Sequence, residues 1–119
     1  MGTDHWNWPD ELDALTAAPG NHRLLLENDR VRVLLTTIPI GATTPVHTHR
    51  WASVEYLITA TDFVRRDADG NVLLDTRTAH STPEATDVLW SGPFPPHSLE
   101  NVGDTELRVI MVEIKAGNV

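Results

Sequence analysis

The sequence predicts an all-β sandwich or barrel. Three observations predict it. About nine short runs are rich in Val, Ile, Leu, Thr and aromatic residues, with the lengths and alternation of strands. Gly, Pro, Asn and Asp punctuate them. Only one stretch reads as helix.

That stretch is Pro9-Asp-Glu-Leu-Asp-Ala-Leu-Thr-Ala-Ala18. Proline suits the first helical position, Asp10 and Glu11 favour the positive end of the helix dipole, and Pro19-Gly20 stops it. Residues 1–8 ahead of it read as an arm, in which Trp6 and Trp8 are material for packing on the body or on a second subunit. Strands then follow at 23–27 and 30–38, the second carrying Val31, Val33 and Leu35 on one face. Residues 39–45 connect to a short strand at 46–49. Further strands fall at 53–60, 62–66 and 71–76, with Asp67-Ala-Asp-Gly70 as a hairpin turn between the last two. Residues 78–85 read as a loop and 87–90 as a strand. Gly92-Pro-Phe-Pro-Pro96 is expected to be irregular, because prolines cannot donate to a ladder. Strands at 97–102 and 106–115 close the chain. The division is an N-terminal arm with a short helix over 1–22 and a barrel over 23–119.

Composition narrows the function. The chain has 119 residues, enough for one core. It has no cysteine, so disulfides, thiolate metal sites and cysteine nucleophiles are all excluded. A formal charge of −8 disfavours nucleic acid and anionic membranes as partners. No apolar run is long enough to span a bilayer, no secretory signal opens the sequence, and the cytoplasm is the expected compartment.

The chemistry concentrates in His47-Thr-His49. On a strand, residues two apart share a face and lie about 6.5–7 Å apart, so both imidazoles can reach one ion. His97 sits in a second strand-like run. Three histidines converging from two strands make a nitrogen site with open positions, the form of a catalytic metal centre. His5, His22 and His80 read as surface residues, and Asn101 as a structural turn residue. Trp51, Trp90 and Phe94 read as core or subunit-contact aromatics; Trp51 and Phe94 could also line the pocket mouth.

Gly41, His47 and His49 match in kind and spacing the first motif of the cupins, and Asp87, His97 and Asn101 keep the length and three residues of the second. Over roughly residues 30–115 the chain resembles this superfamily of small RmlC-like barrels. The resemblance implies a double-stranded β-helix, or jelly roll, with one short N-terminal helix. It implies a divalent transition metal (Fe, Mn, Ni, Cu or Zn) on His47, His49 and His97. A dioxygenase- or isomerase-type enzyme acting on a small organic acid is one expectation, and a non-catalytic ligand-binding module, a sensor or carrier, is the other. A homodimer is expected as well. Two departures stand out. Ser53 takes the place of the family's glutamate, and Gly92 and Phe94 replace the second motif's proline and glycine. Glu55, two residues beyond Ser53, shares its face and is the candidate carboxylate. A buried Glu55 needs a cation, for which Arg50 is the candidate. Arg50 is also the expected anchor for a substrate carboxylate.

Overall fold

The computed structural model describes residues 6–115. A 3-10 turn at Asp10–Leu12 leads into α1 (Ala14–Ala17). The strands are β1 (His22–Glu27), β2 (Val31–Ile38), β3 (His47–His49), β4 (Ser53–Thr59), β5 (Phe63–Asp67), β6 (Val72–Asp75), β7 (Val88–Ser91), β8 (Phe94–Asn101) and β9 (Leu107–Ile114). They form two antiparallel sheets, one ordered β1-β2-β9-β4-β7 and the other β3-β8-β5-β6. The sheets face each other as a jelly roll, the arrangement expected from the strand count.

The helix is shorter than the sequence suggests. Asp13 breaks it with an extended backbone and restarts it as an N-cap, its carboxylate accepting from the Leu15 amide at 3.1 Å. Asp13 leaves the helical path because its carboxylate also binds Arg32, at 2.9 and 3.0 Å.

Residues 94–96, expected to be irregular, are the start of β8. Pro95 and Pro96 are tolerated there because β3 and β8 pair only at His47–His97 and His49–Phe94, with an irregularity between. At such a shift no amide is required from the prolines.

On β2 the buried face carries Arg32, Leu34, Thr36 and Ile38, not Val31, Val33 and Leu35. On β9 it carries Leu107, Val109, Met111 and Glu113. The register puts Arg32 directly opposite Glu113, and Leu34 opposite Met111. The apolar members of these rows join Leu57 and Ala14 in the core. One end of the barrel is therefore apolar and the other polar by strand register alone.

Asn101 has the structural role expected of it. Its buried amide donates to the carbonyls of Ile38 and Thr105, at 3.0 and 2.8 Å, and its oxygen accepts from the Gly103 amide at 3.0 Å. It ties the ends of β2, β8 and β9 together. Asn101→Ala leaves two buried carbonyls and one amide unpaired and should lower stability by about 3 kcal/mol in denaturant unfolding. A loss below about 1 kcal/mol would show that these bonds are replaced at no cost.

Candidate metal centre

Four histidines meet inside the polar end of the barrel. His47 and His49 come from β3, His97 from β8, and His22 from the first position of β1; all four are buried. His47 and His97 are cross-strand partners, with ring centroids 4.4 Å apart. His22 lies 4.6 Å from His47 and 5.2 Å from His49 by the same measure, and His49 lies 5.1 Å from His47 and 5.8 Å from His97. One ring nitrogen from each of His22, His47 and His49 falls within 4.8 Å of the others.

His22 corrects the expectation of a surface residue. It is only 5% exposed, while the rest of β1 lies open to solvent. The turn at 19–21 drops it under the end of α1, where its Nδ1 meets the Ala18 carbonyl at 3.0 Å. No periodicity in 22–27 distinguishes this one inward residue. His80 is exposed, as expected, and has a left-handed backbone, φ 52°. His5 lies outside the described residues.

Each Nδ1 has an acceptor. His47 meets the Pro45 carbonyl and His97 the Pro95 carbonyl, both at 2.8 Å. His49 meets Glu113 Oε2 at 2.7 Å. A carbonyl can only accept, so Nδ1 carries the proton and Nε2 keeps its lone pair. Two of these bonds come from the same local device, Pro-x-His, in which the carbonyl two residues back fixes the ring. The repeat, at Pro45–His47 and Pro95–His97, is a signal the sequence carries for these paired rings.

Behind His49 stands a relay of charges. Glu113 is fully buried and accepts from Arg32 Nε at 2.6 Å through its other oxygen. Burial pushes the Glu113 carboxyl up, against the pull of Arg32. Burial would lower the Arg32 guanidinium, but hydrogen bonds to Asp13 and Glu113 more than offset this and raise it. Burial pushes His22, His49 and His97 down to about 3, and lowers His47 as well. The cluster is four neutral imidazoles, the protonation state that metals bind.

The rings open on a cavity of about 90 Å³. Leu57, Leu107, Val109 and Met111 make its apolar wall; Glu55, Arg65 and Phe94 also line it. Ser53 Oγ donates to Glu55 at 3.2 Å, and burial raises the Glu55 carboxyl, partly offset by Ser91, Ser53 and Arg65. Arg50 is placed elsewhere. It follows His49, and strand alternation turns it away from the barrel. It lines a separate hollow with Trp6, Asp10, Asp13, Arg32, Thr48 and Trp51. The guanidinium in the cavity is that of Arg65. Among the aromatics, Phe94 lines the cavity, Trp51 lies under Arg32 and Lys115, and Trp90 is exposed on β7.

A cupin domain of Bordetella pertussis matches this structure with a TM-score of 0.66 and 23% identity, over 80% of this chain and 92% of that one. The chain has the cupin fold. An RmlC-like cupin of Methanocaldococcus jannaschii with a double-stranded β-helix matches with a TM-score of 0.57 and 12% identity, over 78% of this chain and 77% of that one. A predicted oxalate decarboxylase of Thermotoga maritima matches with a TM-score of 0.50 and 24% identity, over 80% and 79%. No family model matches the sequence, and no curated protein matches it. His22 adds an imidazole from β1 to those of β3 and β8.

The depressed histidines fix a pH dependence. Their folded-state pKa values lie below the unfolded value near 6.5, so the unfolded chain takes up protons first. Stability present above pH 6.5 is lost as pH falls towards 3. Metal-free protein should lose on the order of 1 kcal/mol per pH unit for each such histidine below pH 6.5. Urea unfolding of chelator-treated protein reads this, and His22→Gln should shallow the slope. A flat profile from pH 7 to 4.5 would contradict the neutral cluster.

Proposed function

We propose that the protein is a metal-dependent enzyme that holds one divalent transition metal on His47, His49, His97 and His22. The observation that carries this is the set of four buried neutral imidazoles, each with Nδ1 tied and Nε2 left to bind. The donor set suits Fe, Mn, Ni, Cu or Zn, whose common protein ligand is imidazole. Such an ion, when bound, supplies a Lewis acid for an oxygen of a small organic substrate.

The chain's own groups supply the rest. Glu113 and the proline carbonyls hold the rings in one tautomer and orientation, which is the usual work of groups hydrogen-bonded to metal ligands. The apolar wall excludes water. Glu55 faces the same cavity, and its raised pKa suits it to take a proton from substrate and return it. Proton transfer of isomerase type is the chemistry this arrangement supports best. Dioxygenase chemistry is the competing reading.

The test has two arms. Elemental analysis of untagged protein should find about one metal per chain, with most of it lost in His49→Ala and His22→Ala. Deuterium exchange from D₂O into a panel of 2-oxo acids, followed by NMR, should occur with the loaded protein and fall about a hundredfold or more in Glu55→Gln with metal retained. Near-zero metal after reconstitution with Fe(II), Mn(II), Ni(II) and Zn(II) would sink the metal reading in favour of a ligand-binding module. Oxygen consumption without exchange would move the assignment to a dioxygenase.

The same reading includes a homodimer. Leu26, Val33, Val112, Val54 and Trp90 pair in one row across the outer face of the five-stranded sheet, and Leu35, Ile110, Tyr56 and Val88 in another. Trp90 is 66% exposed and Val88 64%. A continuous apolar sheet face of this kind suits a second copy of itself. Light scattering at micromolar concentration should give twice the chain mass, and Trp90→Glu should give the monomer. A wild-type monomer would contradict it.

A further inference from the structure

Most basic side chains of the barrel have an acid in contact. Arg32 has Asp13 and Glu113, Arg66 has Glu100, Arg77 has Asp75, and Lys115 has Glu27. Arg65 is different. It is half-buried, lines the cavity from β5, and makes no ion pair or hydrogen bond with another described residue, its charge being felt by Glu55 in the same cavity without contact. Its guanidinium lies 5.0 Å over the Phe94 ring. The same ring lies 5.1 Å from His97 and 6.0 Å from His49. Arg65 and the histidine cluster thus flank one aromatic wall of one cavity.

A half-buried guanidinium that lines a cavity is a site for an anion. The planar fork matches a carboxylate, with two parallel hydrogen bonds. Two observations restrict the anion. Glu55 shares the cavity, and any charge on it repels a phosphate dianion about twice as strongly as a carboxylate, which favours the singly charged anion. The cavity, about 90 Å³ with an apolar wall, admits only a small body.

We propose that Arg65 is the specificity-determining residue of this site and takes the carboxylate of a small monocarboxylic acid. The short carbon chain lies against Leu57, Val109 and Met111, and the carbons beyond it reach towards the histidines and Glu55. The proposal deepens the reading above and rests on it for the histidine end only; the Arg65 end does not require the metal.

The experiment is calorimetric titration of zinc-loaded and chelator-stripped protein with butanoate, 2-hydroxybutanoate and butanamide. Wild type should bind both acids in either metal state, and butanamide about tenfold or more weakly. Arg65→Gln should lose butanoate affinity by about tenfold to a hundredfold and with it the preference for acid over amide. Arg65→Lys should keep part of both, and Arg66→Gln, whose partner is Glu100, should bind as wild type. Equal binding of butanoate by Arg65→Gln and wild type would overturn the proposal, as would equal binding of acid and amide or no binding of either acid to wild type. Metal content of the same samples reports the histidines separately. Arg65-dependent binding in a protein that takes up no metal would sink the metal reading and leave this one standing. A loaded metal with binding indifferent to Arg65 would do the reverse.

Discussion

Arg32 and Glu113 face each other across β2 and β9 with their side chains turned into the barrel, the Glu113 carboxylate fully buried. A buried ion pair of this kind gains little net stability, but the loss of either partner strands a charge in low dielectric and costs about 3–5 kcal/mol. The pair is completed on both sides. Asp13 takes the outer edge of the guanidinium, which draws the N-terminal segment onto the barrel. His49 donates to the free oxygen of Glu113, which fixes the imidazole. One pair of charges therefore closes an end of the fold and orients a ring in the site.

The N-terminal segment then contributes chemistry. Once Asp13 is held, α1 follows it and its last carbonyls come over the barrel mouth. The Ala18 carbonyl receives His22 Nδ1, and the ring joins those of β3 and β8. Ala14 and Ala18 are fully buried because any larger side chain would separate this turn from the sheet. The fourth imidazole depends on a helix of four residues that could not persist alone in water.

Much of the fold was legible. Strands of alternating pattern between Gly, Pro, Asn and Asp turns lie within a residue or two of their observed ends, as at 53–59 and 107–114. His47 and His49 share a face because strand period is 2, and their spacing was enough to show it. Arg50 was misassigned by neglect of the same rule, since a residue next to an inward histidine points outward. His22 was hidden for another reason. Its burial comes from a tertiary contact with α1, and β1 is otherwise exposed. The prolines of β8 were read by their missing donors alone, without the bulge that makes those donors unnecessary. Arg65 and Arg66 are adjacent basic residues that composition alone does not distinguish. Alternation sends Arg66 to Glu100 and Arg65 to the cavity.

The central claim is that four imidazoles, His22 among them, hold one metal. X-ray absorption spectroscopy of the zinc-loaded protein tests it most directly. The account predicts a first shell of nitrogen at about 2.0–2.1 Å with outer scattering from four imidazoles, falling to three in His22→Ala. A wild-type spectrum fitted by two imidazoles or fewer, or one that His22→Ala leaves unchanged, would contradict it.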